Sequence, residues 1–135
     1  MLSKNMLAAM NEQVKHELYS AYLYLSMAAH FEAVNLGGFA KWMRVQASEE
    51  QEHGMKFFDH ILDRGGKVAL QAIDQPPVEF TTPLAVFEKV LAHEQQVTAL
   101  IHKLYARAAE ENDYASQLFL GWFVTEQVEE EKNAI

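Results

Sequence analysis

Glu50 and His53 stand three residues apart, a spacing that on a helix sets a carboxylate and an imidazole on neighbouring positions of one face. Such a pair offers an oxygen and a nitrogen donor to a metal ion. The pair gains meaning from the apolar periodicity around it, followed at alternating three- and four-residue steps. Glu50 interrupts the series Met43, Ala47, Gly54, Phe57, Ile61. Glu17 interrupts Leu7, Met10, Val14, Ala21, Tyr24, Ala28, Phe31, and Glu94 interrupts Leu84, Phe87, Leu91, Thr98, Ile101, Tyr105, Ala108. Gln127 and Glu130 interrupt Ser116, Leu120, Phe123, Ala134. An isolated carboxylate in an apolar seam costs several kcal/mol unless it is paired or binds a metal. One such residue is commonplace, but a carboxylate in every seam predicts that they meet. Hard oxygen donors with a single imidazole suit iron or manganese better than a closed zinc site. Two metals sharing one carboxylate would neutralise the cluster, and Glu50, beside His53, is the natural bridge. Tyr24 is either ordinary aromatic core or a hydrogen-bonding or redox neighbour of the metals. His16, His30, His60, His93 and His102 fall off the seams and are expected at the surface, and the methionines are expected to fill the core.

Four long helices are needed to hold these residues, and the chain's punctuation supplies them. The first is expected over about 3–34, with Ser3 as N-cap and the Asn35-Leu36-Gly37-Gly38 break behind it, where Gly can adopt the left-handed conformation. The second is expected over about 39–64, up to Gly65-Gly66. Thr82-Pro83 pairs an N-cap with the residue best suited to a first helical position, opening a third helix over about 83–111. Asn112-Asp113 leads into a fourth over about 114–135. The first and third connections are short and join antiparallel neighbours. The middle one, from Gly65 to Thr82, contains Pro76-Pro77 and no helical period. Stretched at about 3.3 Å per residue it can run back along a helix of roughly 40 Å. The expected fold is all-α: a single domain over 1–135, a four-helix bundle with a long crossover between helices 2 and 3.

Composition agrees and excludes alternatives. Half of the 135 residues are apolar, with only six Gly and three Pro, which favours packed helix over disorder. There is no Cys, so disulfides, thiolate zinc and thiolate iron–sulfur sites are out. The net charge of −8 disfavours nucleic acid and is compatible with attracting cations. No apolar run is long enough for a membrane span. Met1-Leu2-Ser3-Lys4-Asn5 leads into no secretory core, so a cytoplasmic location is expected.

Several blocks along the whole chain resemble the prokaryotic non-haem ferritins. They are Asn11-Glu12-Gln13 through Glu17-Leu18-Tyr19-Ser20, then Glu49-Glu50-Gln51-Glu52-His53, then Glu94, and finally Trp122 through Lys132. The inward-facing carboxylates of such bundles are a known arrangement. The resemblance implies that Glu17, Glu50 and His53 hold a first iron and Glu50, Glu94 and Glu130 a second, with Gln127 as a hydrogen-bonding neighbour. It further implies a third iron site from Glu49, Glu126 and Glu129 with Glu130. The implied activity is a ferroxidase: Fe(II) oxidised by dioxygen or peroxide, then stored as ferric mineral in a hollow 24-subunit shell.

Haem is not expected, because Gln51 stands where the haem-binding relatives place Met, and Gln127-x-x-Glu130 replaces their second Glu-x-x-His. Family members usually lengthen the fourth helix and add a short fifth. This chain ends at Ile135, so a dimer is expected, and a shell only if it closes without that region. The first helix is apolar on several sides (Leu18, Tyr19, Tyr22, Leu23, Leu25, Met27), which predicts a subunit contact. Two alternatives stand beside storage. One is a di-iron oxidase or peroxidase without storage, the other a truncated or engineered bundle that binds metal and forms no shell.

Overall fold

The computed structural model describes residues 1–135 and contains four α-helices and no strand. They are α1 (Lys4–Ala33), α2 (Gly37–Asp63), α3 (Pro83–Glu110) and α4 (Tyr114–Ala134). Ser3, Thr82 and Asp113 cap α1, α3 and α4, each accepting a hydrogen bond from a backbone N–H three residues on. Residues 64–82 form no helix or strand.

Two local expectations are corrected. The second helix begins at Gly37 rather than near Phe39, so both glycines of the expected break are helical. The left-handed residue behind α1 is Asn35 (φ 61°), not a glycine. Asn tolerates this conformation, and the next N–H, of Leu36, reaches back to the Phe31 carbonyl at 2.8 Å. The same closure ends α2, through Gly65 (φ 75°), and α3, through Asn112 (φ 54°).

Side-chain partners set the directions of the helices. His53 meets Trp122, Phe57 meets Phe119, and Arg64 bonds Asp113, so α2 and α4 are antiparallel. Ser20 meets His93 and Phe31 meets Phe87, making α1 and α3 antiparallel. Glu17 lies beside His53 and Leu7 beside Gly66, just past the end of α2, so α1 and α2 are antiparallel too. Helices α2 and α3 therefore run the same way, and residues 64–82 must cross the length of the bundle. No helix is long and apolar enough to cross a membrane.

Buried Asn11 anchors the start of this crossover. Its side chain donates to the carbonyls of Leu7 and Lys67 and accepts from the N–H of Ala69 at 2.9 Å. Asn11→Ala removes three hydrogen bonds, each contributing about 0.5–1.5 kcal/mol net. A loss of about 2 kcal/mol in urea unfolding of the metal-free protein is expected; a change within error would show that the crossover holds itself.

The core is divided in two. One apolar cluster is built around Met6, Met10, Phe57, Ile61, Ile101 and Phe123, the other around Tyr24, Met27, Phe31, Met43, Val86 and Val90. The expected seams of α1, α2 and α4 are the buried ones, apart from half-buried Leu7. That of α3 is not: Val86, Val90, Val97 and Leu104 are inside, whereas Leu84 and Tyr105 are exposed. Apolar residues border the core stripe of α3 on both sides, so spacing alone selected the wrong flank at all but Glu94, Ile101 and Ala108.

Candidate metal centre

Polar residues occupy the layer in which the four seams carry their interruptions. Glu17, Glu50, His53, Glu94, Gln127 and Glu130 are all at most 5% exposed. Each side chain faces inward for the reason its neighbours do, since it shares a helical stripe with core residues. Gly54 helps α1 approach α2 here: a Cβ at that position would lie 3.1 Å from Leu18 Cδ2 and 3.6 Å from Glu17 Cβ.

Donor atoms converge in three groups, each with its ligand atoms within 4.8 Å of one another. Glu17, Glu50 and His53 form the first, Glu50, Glu94 and Glu130 the second, and His53, Glu126 and Glu130 the third. Glu50 belongs to two of them. His53 Nδ1 lies 3.4 Å from Glu50 Oε2 and 4.0 Å from Glu17 Oε2. Three buried atoms in this cluster have no hydrogen-bond partner: Glu17 Oε2, Glu50 Oε1 and His53 Nδ1. Leaving one such group unsatisfied costs about 1–3 kcal/mol, so three together fit a site built for a cation.

On the opposite side of the layer Glu94 is satisfied by protein. Tyr24 donates its hydroxyl to Glu94 Oε1, and Gln127 donates to Glu94 Oε2 at 3.1 Å. Tyr24 is thus core and hydrogen-bonding neighbour at once. Of the residues expected in a third site, Glu126 is half-buried and joins His53 and Glu130. Glu49 is half-buried and Glu129 exposed, and neither enters a convergent group.

Burial and mutual repulsion favour protonation of these carboxyls. Glu17 is raised well above the ordinary range by burial first, then by the charge of Glu50. Glu50 is also raised well above that range, by burial and then by the charge of Glu94. Burial raises Glu94 too, opposed by the Tyr24 and Gln127 hydrogen bonds. Glu130 is pushed up to about 8, by burial and then by Glu94. Burial also raises Glu49, and burial with the charge of Glu94 raises the Tyr24 phenol. A divalent cation would reverse this balance by displacing the protons.

Spacing did not disclose several supporting contacts. Gln13 Nε2 donates to Glu17 Oε1 at 3.1 Å. Thr98 donates to the Glu94 carbonyl and to Glu131 Oε2, and it accepts from Gln127. Gln13 and Thr98 each lie one helical turn from a core Glu, which is the one sequence signal that could have found them. The expectation of surface histidines holds for His102 alone; His16, His30, His60 and His93 are half-buried. His93 Nε2 sits 2.7 Å from Ser20 Oγ, and burial holds its pKa down at about 4.

Known proteins share this architecture. The ferritin-like domain family matches residues 7–134. A bacterial non-heme ferritin of Staphylococcus aureus (strain USA300) is 42% identical over 131 residues, covering 97% of this chain and 79% of the relative. One of Bacteroides fragilis (strain 638R) is 46% identical over 134 residues, covering 99% and 84%. Among solved structures, an open pore ferritin from the hyperthermophilic archaeon Archaeoglobus fulgidus is 52% identical, with a TM-score of 0.97 over 98% of this chain and 81% of that one. A closed form of A. fulgidus ferritin engineered by site-directed mutagenesis is 51% identical, with a TM-score of 0.98 over 99% and 82%.

Proposed function

Since the chain belongs to the ferritin family, as an iron-storage subunit of the non-haem kind, we propose that its buried carboxylate layer is a di-iron ferroxidase centre. Glu17, Glu50 and His53 bind the first Fe(II), and Glu50, Glu94 and Glu130 the second. The observation that carries this reading is the set of three unpartnered donor atoms beside a carboxylate common to both groups. Glu126 offers a third position with His53 and Glu130, and Glu49 and Glu129 add negative charge near it.

Two Fe(II) ions supply two electrons. With dioxygen, they and two protons yield two Fe(III) and one hydrogen peroxide, and the O–O bond survives. With peroxide as oxidant the O–O bond breaks and two waters form. Holding both metals on one bridging carboxylate delivers both electrons to one oxidant, and the enclosing bundle restrains the escape of partly reduced oxygen. Tyr24 and Gln127 orient Glu94 through its two oxygens. The Fe(III) product then moves to storage as mineral.

A homo-oligomer is part of the same reading. Leu23 and Met27 belong to the chain's own core, but Tyr22 and Leu25 on α1 and Val45 and Met55 on α2 stay exposed. These support a dimer contact through the first two helices, and a larger shell is tested by mass in solution. The reading also places the protein in the cytoplasm.

The direct experiment is anaerobic loading with Fe(II) followed by an air pulse under stopped flow. A rapid phase that saturates at two Fe(II) per chain is expected. Oxidation no faster than that of free Fe(II) in the same buffer would defeat the proposal.

A further inference from the structure

Gln13 is an amide only 2% exposed, one turn before Glu17 on the buried face of α1. A buried amide is costly unless it is hydrogen-bonded, and its Nε2 reaches Glu17 Oε1 at 3.1 Å. The two sides of the carboxylate layer differ in this respect. Glu94 has both oxygens engaged, by Tyr24 and Gln127. Glu17 has a hydrogen-bond donor on one oxygen, and its other oxygen is among the three unpartnered atoms.

We propose that Gln13 is the positioning residue of the first metal position: it holds Glu17 Oε1 so that Oε2 stays directed with the Glu50 carboxylate and His53 Nδ1. The inference rests on the ferroxidase reading and adds a residue that is not itself a ligand. An ionised Glu17 only accepts hydrogen bonds, so the amide must present its NH2 side. An amide suits the task because it donates at every working pH and adds no positive charge. A Lys or Arg would donate as well but would repel the incoming cation. Partners behind a ligand fix its rotamer, and their loss weakens metal binding by about 10–100-fold.

The test uses Co(II), which binds without being oxidised, added to the metal-free full chain and followed by calorimetry and proton NMR. The second group contains only carboxylates, whereas the first contains the His53 imidazole, which the third shares with Glu126. With Glu126→Gln as the common background of every variant, hyperfine-shifted His53 signals mark occupation of the first position. In Gln13→Met the length of the side chain is kept and the donor removed. The step that shifts the His53 signals is expected to weaken about ten-fold, and the other step to stay within about two-fold. Gln127→Met is expected to show the opposite pattern. Metal-free Gln13→Met is expected to melt somewhat below the parent, because the buried Glu17 Oε1 loses its donor. An unchanged first step would overturn the proposal, as would equal weakening of both steps, since that pattern describes a purely structural residue. If Gln13→Met does not fold, Gln13→Leu is read in the same way. A parent chain that binds fewer than two Co(II) would instead defeat the ferroxidase reading itself.

Discussion

Glu50→Leu is expected to slow the rapid oxidation of Fe(II) by at least about 100-fold and, at the same time, to stabilise the metal-free protein. The first effect follows from position: Glu50 belongs to both the His53-containing group and the all-carboxylate group. Losing a partner behind a ligand already costs about 10–100-fold, and losing the bridge removes a bond at each metal. The second effect follows from burial. Without metal, Glu50 is forced toward its neutral form by burial and by the charge of Glu94, and one of its oxygens has no partner. Leucine has a similar volume and removes both penalties. Replacing a whole buried ion pair by apolar residues of like size is often neutral or stabilising by about 1–4 kcal/mol, and here the group removed adds repulsion with Glu17 and Glu94 in place of a pairing.

The pair of measurements is stopped-flow absorbance with Fe(II) in air and thermal unfolding in chelator. Glu52→Ala, at an exposed position of the same helix, serves as the control with parent-like rates. Parent-like oxidation by Glu50→Leu would remove the assigned centre. Joint loss of activity and stability would mean that Glu50 holds the fold together and does not burden it. The expected opposition reflects a site whose strain is stored for binding.

The second large effect is a fall in the stability of the metal-free protein as pH rises from 6.5 to 8. Glu130 has a folded-state pKa of about 8 against 4.5 when free. Between those values the folded chain keeps a proton that the unfolded chain has lost, so unfolding releases a proton and stability declines with pH. The half-buried His16, His60 and His93 act in the opposite direction, since burial lowers all three. His93 is held at about 4 against 6.5, so protonation of the unfolded chain opposes folding below 6.5, and this effect fades over about one unit above it. The fall between 6.5 and 8 is set by the carboxyls, and comparison with Glu130→Gln removes the histidine part. A drop in Tm of about 5 °C or more is expected across it, since about 1 kcal/mol corresponds to a few degrees in a domain of this size. Glu130→Gln should make the profile shallower by one proton's contribution, the rest coming from Glu17 and Glu50, and saturating Co(II) should flatten it by displacing the protons. A parent profile that rises between 6.5 and 8 would contradict the assigned protonation.

What the chain alone determined about this protein is what depends on neighbours along one helix. Capping by Ser3, Thr82 and Asp113, with Pro83 behind its cap, is a matter of residue type at adjacent positions. The seams of α1, α2 and α4 were legible because apolar residues recur with one helical period and few competitors. Glu17, Glu50, Glu94 and Glu130 stood out against those seams, since a carboxylate at a core position is expensive enough to require a cause. In α3 apolar residues flank the core stripe on both sides, and the fold chose Val86 and Val90 over Leu84.

Only the tertiary structure decided which atoms of those residues are satisfied and which are not. Glu17 and Glu94 look alike as interruptions of a seam, yet Glu94 is bonded on both oxygens and Glu17 on one. The difference arises from partners on other helices, with Tyr24 and Gln127 arriving from α1 and α4. Periodicity along a helix specifies a face, whereas hydrogen-bond satisfaction depends on distances of a few ångströms between elements far apart in the chain. The requirement for buried carboxylates to converge was therefore written in the sequence. Which oxygens remain without a hydrogen-bond partner was settled by packing.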